Sequence, residues 1–549
     1  MGLLLVSFPC CIQAQYYSPP FYYSVNNNAV TITGYNSPSG TVVIPSTIAG
    51  NPVTGIGNRA FSPLQHGLAI SSVTIPDSVI SIGTNAFWSC TNLTSVIMGT
   101  NLTIIADGAF YNCAKLPTVT IPTNVATIGA NAFGSCIKLV SVSISSSVTN
   151  IGNGAFANCP SLTGITVDSL NPVYSSVNGV LFNQIQTTLL QCPQGKVGAF
   201  TVPSGTTVIS DQAFQYCGNL TGVIIPDSVT NIGNSTFQYC TNLTSVALGA
   251  NIVSIGTSDF LSCPSLVNIT IPYGVTSFGD SAFEYCGSLT NIVMPNTVTN
   301  TGNSTFAYCT NLVRATISTN VTTIGDDLFW WDSNLRQVTI PNGVITIGTG
   351  AFGNGVGITS LIIPDSVTSI GAYAFNACPL TTLSIGNSVT NIGQRAFLGC
   401  STLTTSVTIP SSVTYIGDYG FAVCWRVPAF FFQGNAPTVG SDAFWDDLVA
   451  TAYYLPNTSG WTNTLDAIPA VLWNPQPQNT DGSFGVQNNQ FGFNITGTTN
   501  IPIVVEACTN LANAIWTPLQ SCLVTNGSIY FSDPKYPNFP SRIYRIRSP

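Results

Sequence analysis

A solenoid of short stacked coils, followed by a small all-β region, is the fold class that this 549-residue sequence predicts. Three observations predict it. A phenylalanine returns at near-fixed intervals: Phe61, Phe87, Phe110, Phe133 and Phe156, then Phe214, Phe237, Phe260, Phe283, Phe306, Phe329, Phe352, Phe375, Phe397, Phe421 and Phe444, with eleven of the fifteen steps equal to 23 residues. Each period also carries a short alternating apolar run that usually ends in Pro. Charged residues make up only 6% of the chain, against about 25% in an average soluble protein, so the surface is polar through Asn, Thr, Ser and Gly. A chain that stacks one short unit buries a continuous core between neighbours and leaves long open faces, which favours binding over catalysis.

Residues 220–242, LTGVIIPDSVTNIGNSTFQYCTN, show what one unit builds. Leu220, Val223 and Ile225 have the spacing of a short strand with one buried face, and Pro226 ends it by removing a ladder donor. Val229 and Ile232 bury a second extended piece. Gly233 stands four residues before Phe237, as Gly does in fourteen of the sixteen units, and the pattern predicts a sharp turn with positive φ there. Phe237 and Cys240, three apart, suit one turn of α- or 3₁₀-helix.

Twelve of the seventeen cysteines sit three residues after a repeat Phe, from Cys90 to Cys424, where a thiol acts as a small buried hydrophobe. Disulfides between neighbouring coils are compatible with the distances. Free thiols are the favoured reading, because Leu64, Asp332, Gly355 and Asp447 replace Cys singly, with no paired loss. Metal binding is disfavoured, since His66 is the only histidine and no C-x-x-C pair occurs.

The segments VTIPDSVISIGTNAFWSC, VTIPTNVATIGANAFGSC and LIIPDSVTSIGAYAFNAC resemble leucine-rich repeats, and more narrowly the bacterial BspA-like class, over about residues 20 to 473. The resemblance implies a curved leucine-rich repeat solenoid with a parallel β-sheet, short helical or 3₁₀ segments and a cap at each end. The 58-residue step contains DSLNPVYSSVNGVLFNQIQ and resembles the extended repeat of that class, an insertion near 168–202; subtracting one unit leaves 58 − 23 = 35 added residues. The domain organisation expected is therefore a signal-peptide-like segment at 1–14, a capped solenoid at 15–473, a Pro/Asn/Gly linker at 474–483 and a small β-rich module at 484–549. The segment MGLLLVSFPCCIQAQ lacks the basic start of a typical signal, and a buried N-terminal strand is its alternative. Cys508 and Cys522 are an open disulfide pair in the C-terminal module, given an oxidising compartment.

The net charge of −8 comes from 12 basic and 20 acidic residues with no Lys/Arg cluster, so nucleic acid and anionic membrane are poor partners. Catalytic groups are scarce. His66 stands alone in SPLQHGLAI, and only Glu284 and Glu506 are glutamates. Asp77, Asp227 and Asp365 recur at one position after I-P, which points to turn geometry. The chain reads as non-enzymatic and without a cofactor.

The most unusual coil is GDDLFWWDSNLRQ, where Asp326, Asp327, Trp330, Trp331, Asp332 and Arg336 gather charge and aromatic surface. Adjacent tryptophans can stack on a sugar or anchor a protein; alternatively one Trp fills the space of the missing Cys while the other lies on the rim. A second candidate surface is the outward middle position of each strand, which includes Thr316 and Thr339 and lies beside Arg314. The function expected is a secreted or cell-surface protein that recognises an extracellular protein or glycan through the solenoid face, as a monomer without a membrane span. A carbohydrate-active or carbohydrate-binding protein is the alternative, and a structural surface-layer protein the third.

Overall fold

The computed structural model describes residues 15–37, 39–63, 69–355, 357–512, 514–539 and 541–547. The signal-like segment at 1–14 and His66 lie outside the described residues. The chain divides into two compact units, Met1–Val275 and Thr276–Pro549, and each is a β-solenoid of stacked parallel strands.

In unit 1 the eight coils from Phe61 to Phe260 each contribute two short strands. The first strands pair in parallel with register partners 23 residues apart, as in Val119 with Val142 and Val223 with Val246. The second are two-residue strands such as Ser81–Ile82, Ile104–Ile105 and Thr127–Ile128, paired the same way. Because the pairing offset equals the repeat, equivalent side chains fall directly over one another. Leu220, Val223, Ile225, Val229, Ile232, Phe237 and Cys240 are all at most 4% exposed, so the alternation read from one unit does locate its buried face. Phe61, Phe87, Phe110, Phe133 and Phe156 form a row of near-parallel rings 4.9 to 5.9 Å apart, within the offset-stacking range.

The segment from Phe to Cys is a run of turns, which corrects the expectation of a helical turn. In the Phe87 coil the N–H groups of Asn85, Phe87 and Ser89 donate forward to Asp107, Ala109 and Tyr111 of the next coil at 2.8 to 2.9 Å, while Ala86, Trp88 and Cys90 donate three residues back. Alternate N–H groups therefore point in different directions, whereas a helix aims them all one way. Left-handed residues two before and two after Phe produce the alternation: Asn85 (φ 57°) and Ser89 (φ 56°), Asn131 (52°) and Ser135 (59°), Ser235 (55°) and Tyr239 (60°).

The glycine four residues before Phe has a different cause from the one expected. Among the described residues of this row only Gly302 is left-handed. Most of the others are glycine because the preceding coil passes too close for a side chain: a Cβ on Gly83 would lie 2.8 Å from Ile56 O, and one on Gly371 would lie 2.5 Å from Gly348 C.

Unit 1 begins with the antiparallel hairpin Phe21–Asn26 and Ala29–Tyr35, whose second strand pairs in parallel with Asn51–Ile56 and so covers the first edge. Its long step holds the antiparallel strands Tyr174–Val177, Val180–Asn183 and Thr188–Gln191, the last of which pairs in parallel with Val208–Ile209.

In unit 2 the coils run from Phe283 to Phe444. The last parallel strands are Ala429–Phe432, Thr451–Tyr454 and Ile468–Leu472, and Thr464–Leu465 closes them antiparallel. Antiparallel sheets follow, built on Gln490–Thr496 with Ser528–Asp533 and on Ile501–Cys508 with Thr517–Val524 and Ile543–Arg547. Phe493, Ile495, Ile501, Ile503, Val505 and Phe531 form their core, against which Tyr453, Val471 and Trp473 pack. Trp473 Nε1 donates to Pro502 O at 2.8 Å. The segment expected as a linker carries the strand Gln476–Pro477, paired with Gln490–Thr496.

Buried Glu506 accepts from Arg545 Nε and Arg547 Nε at 2.8 and 2.7 Å. Burial opposes ionisation there, but the two guanidiniums outweigh it and hold the carboxyl below its ordinary value. The Cys508–Cys522 disulfide does not form. Cys522 faces Ile503 in the register, five residues from Cys508, or roughly 17 Å along the strand, whereas a disulfide needs Cα atoms within about 7 Å.

Candidate functional site

The candidate residues of unit 2 occupy two different parts of the coil. Asp326, Asp327, Trp330, Trp331 and Asp332 lie on the turn segment, while Arg314, Thr316, Arg336 and Thr339 lie on and beside the strands Arg314–Thr316 and Gln337–Val338.

On the turn segment Asp326 is a brace between coils. Asp326 Oδ1 accepts the Thr349 N–H at 2.7 Å, and its own N–H donates to Asn303 Oδ1 at 2.9 Å. The same link joins Asn303 to Asp280 and Ser441 to Asp418 at 2.8 Å, so an Asp or Asn at this position ties its coil to the next. Asp327 is left-handed (φ 52°), and partial burial with the carboxylates of Asp326 and Glu284 nearby pushes its carboxyl up.

Asp332 takes the place of the repeat cysteine. Elsewhere that thiol donates to the carbonyl of the preceding coil's Phe, as Cys309 Sγ does to Phe283 O and Cys378 Sγ to Phe352 O, both at 3.2 Å. Asp332 is fully buried, and burial pushes its carboxyl well above the ordinary value, with the Cys309 N–H opposing. Asp447 fills the same slot in the last coil. It accepts the Cys424 N–H at 2.7 Å and is pushed up by burial to about 8.

The two tryptophans do not share a surface. Trp330 is half-buried, and its ring crosses the next coil where Gly350 and Gly353 leave room, within 2.9 Å of where their Cβ atoms would be. Trp331 is 47% exposed and left-handed (φ 61°). Its ring lies parallel to Tyr308 at 6.5 Å, and Tyr308 stacks on Tyr285 at 4.6 Å. Neither Trp fills the missing-Cys slot, because Asp332 itself does. Tyr285 and Tyr308 were not among the candidates, although the signal was present: both stand two residues after a repeat Phe, as Tyr216 and Tyr239 do.

The strand face holds an open groove of about 600 Å³ whose polar lining includes Arg314, Thr316, Arg336, Gln337 and Thr339. Arg314 Nε donates to Gln337 Oε1 at 2.6 Å, which sets the direction of its guanidinium. No carboxylate lines the groove, and neither arginine makes an ion pair among the described residues. Thr316 and Thr339 are exposed in one row with Val293 of the adjacent strand.

The repeat thiols are closed off from solvent. Burial pushes Cys90, Cys159, Cys263 and Cys378 up to about 12, so thiolate is scarce at neutral pH. Among the described cysteines only Cys522 is partly exposed. In a chain lacking residues 1–14, a thiol-specific chromogenic reagent is therefore expected to label one cysteine at native pH 7 and the remainder only after denaturation. Rapid labelling of several in the native protein would contradict the packing described here. No group of three or more His, Cys, Asp or Glu is placed to hold a metal ion, and no helix is long and apolar enough to cross a membrane, among the described residues.

Three kinds of comparison bear on the family. No curated protein matches the chain. Among solved structures, a leucine rich cell surface protein from Faecalibacterium prausnitzii A2-165 is 30% identical over 55% of this chain and 94% of its own, with a TM-score of 0.41. A leucine-rich repeat protein from Bacteroides ovatus ATCC 8483 is 23% identical over 84% of this chain and 100% of its own, with a TM-score of 0.45. The pattern of the BspA type Leucine rich repeat region matches in six copies over residues 54–178, 207–336 and 322–449. With that pattern spanning well over half of the sequence and the parallel coils that it describes present in both units, the chain belongs to the BspA-type leucine-rich repeat family.

Proposed function

We propose that this protein is a non-catalytic cell-surface or secreted recognition protein that holds an extracellular protein or glycan on the strand face of unit 2. The observation that carries the reading is the groove at Arg314 and Arg336, where two guanidiniums without a carboxylate partner stand over a flat row of exposed threonine. Such a surface suits a partner that presents carboxylate or sulfate groups, since guanidinium pairs with both in a forked geometry. The use of the titratable groups supports a non-catalytic role. Asp326 spans neighbouring coils, the repeat thiols are buried, and Glu506 is held by two arginines.

The test is a solid-phase binding screen of the chain against extracellular-matrix proteins and acidic glycans, with Arg314→Ala/Arg336→Ala and Trp330→Ala/Trp331→Ala variants run in parallel. The arginine pair is expected to weaken a saturable interaction by about 10- to 100-fold, the size of one or two interface anchors, with an unchanged unfolding midpoint. Equal binding by wild type and the arginine variant, or no saturable binding to either panel, would overturn the assignment to this face. Loss confined to the tryptophan variant would move the site to the Tyr285–Tyr308–Trp331 row.

A further inference from the structure

The residues added between Phe156 and Phe214 interrupt the turn ladder of unit 1 and open a cavity of about 610 Å³. In the coils before the break every forward N–H is used. Gly108, Phe110 and Asn112 donate to Ala130, Ala132 and Gly134, and Asn131, Phe133 and Ser135 donate to Asn153, Ala155 and Ala157, all at 2.7 to 3.1 Å. The equivalent N–H groups of Gly154, Phe156 and Asn158 have no partner among the described residues. The chain that follows them runs into the strands Tyr174–Val177 and Val180–Asn183 instead of laying down another turn segment. The hairpin repairs part of the edge, since Tyr174 Oη accepts the Ile151 N–H at 2.9 Å. On the opposite wall Cys192 N–H and Gln194 Nε2 donate to Ala213 O and Gln215 O at 2.7 and 3.3 Å. The Gln194 side chain is only 6% exposed, and its Oε1 carries no hydrogen bond among the described residues.

We propose that this cavity binds a small neutral sugar, a mono- or disaccharide. The lining combines three features that together select that chemistry. Gly154 offers an unused donor and Gln194 an unused acceptor, with further amide groups on Gln191 and Gln212. Tyr174, Leu181 and Leu190 supply ring and alkyl surface for the C–H face of a pyranose. No Lys or Arg lines the cavity, so an anion would lose its hydration without a compensating charge, and Asp211, the one carboxylate of the lining, already accepts the Asn234 N–H at 2.8 Å. A hydrocarbon would leave the Gly154 N–H and Gln194 Oε1 unsatisfied. Hydroxyl groups donate and accept, and the volume lies within the usual range of small-molecule sites, about 300–1,000 Å³.

The full chain is to be titrated with glucose, galactose, mannose, N-acetylglucosamine, maltose, lactose and cellobiose, with binding followed by ligand-observed saturation-transfer NMR. At least one sugar is expected to bind saturably. Gln194→Met, which removes the acceptor, and Ala157→Phe, which fills the cavity, are each expected to weaken it by about tenfold or more, as the loss of one buried polar contact does. Gln212→Ala, at an exposed position on the rim, gives a smaller loss and keeps the test open if a buried variant misfolds. Arg314→Ala/Arg336→Ala leaves sugar binding unchanged, which separates this cavity from the strand-face groove. Binding that survives in Ala157→Phe would overturn the proposal, and so would the absence of saturable binding by all seven sugars, in which case ordered water alone satisfies the break.

Discussion

Asp332→Cys is expected to stabilise unit 2 at pH 8 by roughly 3 kcal/mol, the order of the penalty for one buried, incompletely compensated carboxylate. Asp332 is fully buried in a slot where the other coils place a thiol, and burial raises its carboxyl well above the ordinary value. A carboxyl raised in the folded state leaves stability intact below its unfolded value of about 3.9 and removes it as the pH climbs through the folded value. The advantage of the cysteine variant should therefore be largest in mild alkali and shrink steadily toward pH 4. Asp447→Cys should follow the same course, with most of the change complete by about pH 8, where its folded value lies. Urea unfolding at pH 4, 6 and 8 reads both. An advantage that did not change with pH would mean that packing and not charge burial distinguishes the two side chains.

Gly371→Ala should destabilise unit 2 by about 3 kcal/mol, at the upper end of what overpacking a closed contact costs. Its added Cβ would lie 2.5 to 2.6 Å from Gly348 C, Gly348 O and Thr349 N, all backbone atoms of the preceding coil. Two coils held by continuous hydrogen bonding cannot separate at one residue without losing neighbouring bonds. The contrasting substitution lies six residues on. Ala377 is left-handed (φ 55°), so Ala377→Gly removes Cβ strain and should be neutral or stabilising by up to about 1 kcal/mol. Thermal unfolding of the two variants beside wild type decides the matter. If alanine at 371 were tolerated while glycine at 377 weakened the fold, the cause assigned to the repeat glycine would be wrong.

Much of the architecture was legible because a repeat turns one local pattern into a register. The 23-residue period sets the pairing offset, so Val223, Val246 and Ile269 had to meet, and the alternation around Leu220 named the buried face. The candidate site was less legible. The gathering of Asp326, Asp327, Trp330 and Trp331 in one coil was plain, but adjacent letters on a turn with alternating backbone hand do not share a surface. Trp330 lies over the next coil, and Trp331 joins Tyr308 and Tyr285. Their partners lie 23 residues away, not one.

The amino-acid sequence by itself determined the coil, its buried face, its strand register and the family, since each follows from spacing within a period. The tertiary structure decided what happens between coils. It showed that the repeat glycine, Gly302 apart, answers a close approach of the preceding coil and not a positive φ, that left-handed residues flank the repeat Phe from Phe87 onward, that Cys508 and Cys522 are far apart, and that the inserted hairpin leaves the Gly154 N–H at a cavity without a partner among the described residues. The physical reason is the same in each case. Periodicity records which residues recur, whereas close approach and hydrogen-bond satisfaction depend on the distance to the neighbouring coil.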